Sequence, residues 1–84
     1  MKREYIIDNL KTFLIQETNF KDPEFFQEDT DLISLGVFDS LLLVALAAHC
    51  EERFDCILDL HEVSENQIRT IGAIADTVLC ANRK

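Results

Sequence analysis

Asp39-Ser40-Leu41 is where a hydroxyl, a carboxylate and the start of an apolar helix come together in this sequence. A serine at a helix N-terminus sits beside backbone N–H groups without intrahelical partners and at the positive end of the helix dipole. That is a favourable place for a phosphate group. Asp39 is suited to the N-cap position, where its carboxylate accepts a backbone N–H, although its charge would oppose that of a phosphate attached to the next residue. Nucleophilic catalysis fits poorly, because Ser40 has no evident base held by a third group and a chain of 84 residues leaves little room for a substrate pocket. Other chemistry-bearing residues carry less. His49 and His61 have no second ligand at useful spacing and read as solvated or edge-of-core histidines. The acidic run Glu28-Asp29-Thr30-Asp31 is not a calcium loop: one begun at Asp29 would need Gly and Glu where Ser34 and Ser40 stand.

The elements that must position Ser40 can be read from hydrophobic spacing. A first helix is expected from about Arg3 to Glu17, with Tyr5 or Ile6, Leu10, Phe13 and Leu14 on its apolar stripe. Residues Thr18 to Asp39 then form a long connection broken by Pro23 and by the polar run from Gln27 to Asp31. Phe20, Phe25, Phe26, Leu32, Ile33, Leu35 and Phe38 can pin this loop to a core, and Pro23 to Phe26 can form a short helical turn. Gly36 is expected to supply a backbone conformation that other residues resist. A second helix should run from Asp39 or Ser40 to about Phe54, with Leu43, Ala47, Cys50 and Phe54 facing the core. A short third helix has two rival starts, Ser64-x-x-Gln67 and Asp59-x-x-Glu62, both capping-box patterns. The last helix follows Thr70 as N-cap and buries Ile71, Ile74, Ala75, Val78 and Leu79, with Ala81 to Lys84 frayed. The fold class is therefore all-α: a small bundle of three main helices plus one short helix, with a long first loop, in a single domain spanning residues 1–84.

Composition narrows the partners. Sixteen acids against eight bases give a formal net charge of −8, which repels phosphate backbones and argues against nucleic-acid binding. An acidic surface suits a partner with a basic docking patch. The three cysteines, Cys50, Cys56 and Cys80, include no CxxC pair, and reduced cytosolic thiols are the simplest reading. Cys50 and Cys80 lie in apolar runs and are expected to behave as small core hydrophobes. The opening MKREYIIDNL has no long apolar stretch of the signal-peptide kind, and no segment is long and apolar enough to span a bilayer. A cytoplasmic protein that does not engage membranes is expected.

The string Asp31-Leu32-Ile33-Ser34-Leu35-Gly36-Val37-Phe38-Asp39-Ser40-Leu41 resembles the attachment motif of the acyl carrier and peptidyl carrier superfamily, whose core is Asp-Ser-Leu at the start of the second helix. Glu51-Glu52-Arg53-Phe54 is similar to the acidic end of that helix, and Arg69 to Ala75 to the start of the last one. The resemblance covers roughly residues 5 to 80. It implies a four-helix bundle of the acyl-carrier type and 4'-phosphopantetheine attached covalently to Ser40, with Asp39 and Leu41 completing the recognition sequence. It also implies a carrier that is not an enzyme and that holds an acyl or aminoacyl group as a thioester, at high effective concentration, for partner enzymes. The partners implied are a phosphopantetheinyl transferase, an adenylating ligase or acyltransferase, and downstream synthase or tailoring enzymes. Gly36 to Ser40 and Ser64-Glu65-Asn66 look more like the discrete D-alanyl and aminoacyl carriers than the fatty acid branch, which points to secondary metabolism.

One departure from the fatty acid branch bears on docking. Where those carriers usually place acids two and five positions after the serine, this chain has Leu42 and Ala45. The second helix is therefore expected to dock partners through an apolar patch that includes Leu42, Ala45 and His49. A competing expectation is that the long first loop covers these residues. The reading from a different class is an unmodified helical protein–protein interaction module that uses the apolar second helix.

Overall fold

The computed structural model describes residues 2–18, 26–59 and 61–81, which form four helices. Helix α1 spans Arg3–Glu17, α2 Ser40–Phe54, α3 Glu65–Ile68 and α4 Ile71–Ala81. No strand occurs among the described residues.

Each boundary has a local cause. Helix α1 buries Ile6, Ile7, Leu10, Phe13 and Leu14 on one side. Of the two expected anchors near its start, Ile6 is buried and Tyr5 lies outward. Asp39 caps α2, and its carboxylate accepts the Leu42 N–H at 2.8 Å. The same helix stops where Asp55 takes the left-handed conformation, φ 52°, and its N–H turns back to the Cys50 carbonyl. Of the two rival starts for the short helix, Ser64 is the one used: its N–H donates to Gln67 Oε1 at 2.8 Å. Asp59 forms a turn instead, accepting the His61 N–H on its side chain and the Val63 N–H on its carbonyl. Thr70 Oγ1 accepts the Ala73 N–H at 3.0 Å and opens α4.

The core draws on every helix. Ile6, Leu10 and Leu14 of α1 meet Leu46, Cys50 and Phe54 of α2, Ile68 of α3, and Ile71, Ile74 and Val78 of α4. Helix α4 packs along both α1 and α3. Helix α2 is joined to α1 by side chains: Tyr5 meets Phe54 edge-on at 6.2 Å, and Phe13 stacks on His49 at 4.5 Å. Phe26 and Leu32 of the first loop are fully buried in the same cluster. The expected anchors Phe20 and Phe25, and the turn of helix from Pro23, lie outside the described residues, as do residues 82–84.

Besides Leu79, which is only half-buried, and Leu35, which is exposed, two burial expectations need correction. The inward face of α2 carries Leu42, Leu46, Cys50 and Phe54, not Leu43 and Ala47, which are only half-buried. Cys80 is exposed, whereas Cys50 and Cys56 are both buried. Burial pushes the Cys50 thiol up to about 12, so it stays protonated and packs as a hydrophobe.

Candidate functional site

The loop before α2 is built to deliver Ser40 to the surface. Asp31 starts it. One carboxylate oxygen accepts the Ile33 and Ser34 N–H groups at 3.2 and 3.1 Å, and the other accepts the Ser34 hydroxyl at 2.9 Å. Such local bonds give the backbone a tight turn in place of a helix. Two backbone bonds continue it, Leu35 N–H to the Asp31 carbonyl and Gly36 N–H to the Ile33 carbonyl. Gly36 then reverses the chain at φ +71°, the conformation expected of it. Asp39 is extended and caps α2, so Ser40 becomes the first helical residue with its side chain exposed. Leu41 beside it is 81% exposed.

The hydrogen bonds within this turn hold the Asp31 carboxyl below the usual carboxylate range, first through Ser34 and then through Arg69. A carboxylate whose pKa is depressed in the folded state stabilises the fold above its ordinary pKa and loses that contribution as the pH falls through the folded value. The turn should therefore loosen in acid. Amide exchange at Ser34 and Gly36, measured across the carboxylate range, is expected to accelerate at the acid end relative to the α4 amides. Asp31→Asn should remove that pH dependence.

A groove of about 490 Å³ flanks the start of α2. It is lined by Leu35, Gly36 and Val37 of the loop, by Asp39, Leu41, Leu42 and Ala45 at the start of α2, and by Glu17 and Thr18 at the end of α1.

The three expected docking residues are placed differently from one another. Leu42 is 7% exposed and belongs to the core. Ala45 is half-buried at the groove. His49 sits in the seam between α1 and α2, where its Nε2 donates to Asn9 Oδ1 and its ring lies between Phe13 and Phe54. Burial, and then the charge of Arg53, lowers the His49 pKa. The outward face of α2 consists instead of Leu41, Val44 and Ala48, followed by Glu51 and Glu52. Sequence reasoning missed Val44, which is 59% exposed. It also missed Arg69, whose guanidinium lies 3.1 Å from Asp31. Asp31-x-x-Ser34 was a readable turn signal, but nothing nearby in sequence points to its distant partner.

The sequence model of the family described as "Phosphopantetheine attachment site" matches residues 8–78, which include the whole of this loop and α2. The chain belongs to that family. It is a carrier domain, and its cofactor is 4'-phosphopantetheine. Carrier domains of this kind are generally not catalytic, and they work by interacting with the enzymes that load and use them. No curated protein matches the sequence. No helix among the described residues is long and apolar enough to cross a membrane.

Proposed function

We propose that Ser40 bears the phosphopantetheine arm and that the carrier presents an acyl or aminoacyl thioester to biosynthetic enzymes. The observation that carries this is an exposed serine opening a helix, fixed by the Asp39 cap and delivered by an ordered turn, inside the segment that matches the attachment-site family. The residues fit the group. Ser40 supplies an accessible hydroxyl, and the helix N-terminus favours the phosphate that would be joined to it. The adjoining groove offers both apolar side chains, Leu35, Val37, Leu41 and Ala45, and the polar Thr18, Glu17 and Asp39. In the attachment step Ser40 Oγ bonds to phosphorus and loses its proton, while the adenosine bisphosphate portion of coenzyme A departs. Asp39 keeps the first turn of α2 rigid while a transferase engages Ser40 and Leu41. When bound, the arm supplies a terminal thiol that holds the cargo as a thioester.

The amino acid or specialised acyl cargo proposed here rests on the likeness of Gly36-Val37-Phe38-Asp39-Ser40 to the aminoacyl carriers. The enzymes this assigns are a phosphopantetheinyl transferase, an adenylating ligase or acyltransferase, and a downstream synthase or tailoring enzyme. They are proposed to dock on the outward face of α2, centred on Leu41, Val44 and Ala48, with Ala45 at its edge. Leu42 and His49 act behind that face by packing. Val44→Glu should leave the fold intact, since the side chain is exposed. It should lower the rate of arm or cargo loading about tenfold, as expected when a contact residue of an apolar patch becomes charged. An unchanged rate would move the docking surface elsewhere.

The attachment itself is tested by intact mass after incubation with coenzyme A, magnesium and a broad-specificity phosphopantetheinyl transferase. One added arm on the wild-type chain and none on Ser40→Ala is the expected result. A wild-type chain that gains no mass while self-associating through α2 would favour the interaction-module reading instead.

A further inference from the structure

We infer that Arg69 is a positioning residue for the attachment site: it holds the root of the first loop and thereby sets how Ser40 is presented. The inference rests on the reading of Ser40 as the attachment residue. Arg69 lies between α3 and α4, 29 positions after Ser40, yet it reaches the loop in two ways. Its carbonyl accepts the Leu32 N–H at 2.7 Å. Its guanidinium lies 3.1 Å from Asp31 Oδ2 and 3.6 Å from Glu65 Oε2. Asp31 is the residue whose carboxylate organises the turn through Ser34. Arg69 thus grips the one side chain on which that turn is built, from a short junction anchored by the buried Ile68 and Ile71.

The loop has a second, separate tether. Arg3 pairs with Glu28 at 2.7 Å and with Asp76 at 2.8 Å, and the Gly72 N–H donates to the Glu28 carbonyl at 3.0 Å. That tether also joins loop to helices, but at Glu28, before the turn begins. The two arginines differ in where along the chain they act. Arg69 acts at the turn that leads to Gly36 and Ser40, and Arg3 acts upstream of it.

A partly exposed ion pair is worth little to overall stability, so release of Arg69 should leave the bundle folded. What changes is the fraction of molecules in which the turn is correctly formed. A partner that engages only that conformer then binds with an apparent affinity lowered by that fraction. The expected signature is a rise in KM with kcat unchanged.

The test uses the full chain as acceptor for the arm, with coenzyme A, magnesium and a broad-specificity transferase, and compares Arg69→Ala, Arg69→Lys and Arg3→Ala. Arg69→Ala should raise KM for the carrier about twofold with kcat held, because loss of an exposed charge pair shifts the equilibrium of the turn by at most about fivefold and an ordered turn absorbs part of that shift. Arg69→Lys should recover most of the loss, and Arg3→Ala should match wild type. On chains without the arm, Arg69→Ala should speed amide exchange at Ser34 and Gly36 selectively, sparing α1 and α4. A wild-type KM in Arg69→Ala, an equal rise in Arg3→Ala, or exchange that quickens throughout the bundle would overturn the inference. A wild-type chain that accepts no arm would overturn the Ser40 reading and this inference with it. A normally modified wild type with an unchanged Arg69→Ala would overturn this inference alone.

Discussion

Ser40→Ala is expected to take up no arm and to carry no cargo, while keeping the helical signal and melting behaviour of the parent. Two features make the effect nearly all-or-none. The substitution removes the only atom of residue 40 that can bond to phosphorus. It does so at an exposed position whose cap belongs to the neighbouring Asp39, and alanine is a good helix former there. Chemistry and folding are therefore separable at this position. The measurement is intact mass beside circular dichroism. A mutant that still gains the arm would show that another hydroxyl accepts it, whereas a mutant that unfolds would show that Ser40 is part of the framework. Asp39→Ala makes a useful contrast. It removes the side-chain bond to the Leu42 N–H and should cost about 1 kcal/mol through loss of the cap.

Phe54→Ala carries the largest expected cost in stability. Phe54 is 1% exposed at the end of α2. It meets Tyr5 of α1 edge-on at 6.2 Å and His49 of its own helix at 5.8 Å. Truncating a buried phenylalanine removes about 3–5 kcal/mol, the sum of lost transfer energy and the cavity left behind. The net stability of a typical domain is only about 5–15 kcal/mol, and a chain this short lies toward the weak end. A large unfolded fraction at 37 °C is therefore expected, read by urea denaturation at a series of temperatures. Phe54→Leu should recover most of the loss. A cost below about 1 kcal/mol would mean that the site collapses around the missing ring.

Much of the framework was legible in the sequence because its signals are local. The extents of α1 and α2, the Asp39 cap and the turn at Gly36 each follow from a residue type acting on its near neighbours, whereas Ser64 and Asp59 offered equal capping patterns for α3 and only the folded chain selects Ser64. The rotation of α2 was not legible. From Leu41 to Ala48 every residue is apolar, so no polar side marks the outward face. Only packing distinguishes Leu41, 81% exposed, from Leu42 at 7%. Reading the core face as Leu43 and Ala47 turned the first half of the helix by one residue and placed Leu42 on the docking surface. The pairing of Arg69 with Asp31 was hidden for another reason. Sixteen acids and eight bases allow many combinations, and only the folded chain shows which distant charges meet. Gly72 held a faint clue. A glycine inside a helix weakens it without local benefit. Its benefit is that a Cβ there would lie 3.0 Å from both Arg3 Nη2 and Glu28 Cγ.

The tethers of the first loop also set an order of assembly. Arg3 meets Asp76 across 73 positions of chain, and Arg69 meets Asp31 across 38. Contacts between such distant segments form only after the loops between them have closed, and they place the step that completes the bundle late in folding. During synthesis Ser40 leaves the ribosome ahead of α4, which begins 31 positions later. Until the last helix docks, a nascent chain holds that turn by its local bonds alone, without the Arg69 tether to Asp31. Modification by an enzyme that reads the turn would then fall mainly on finished, folded molecules.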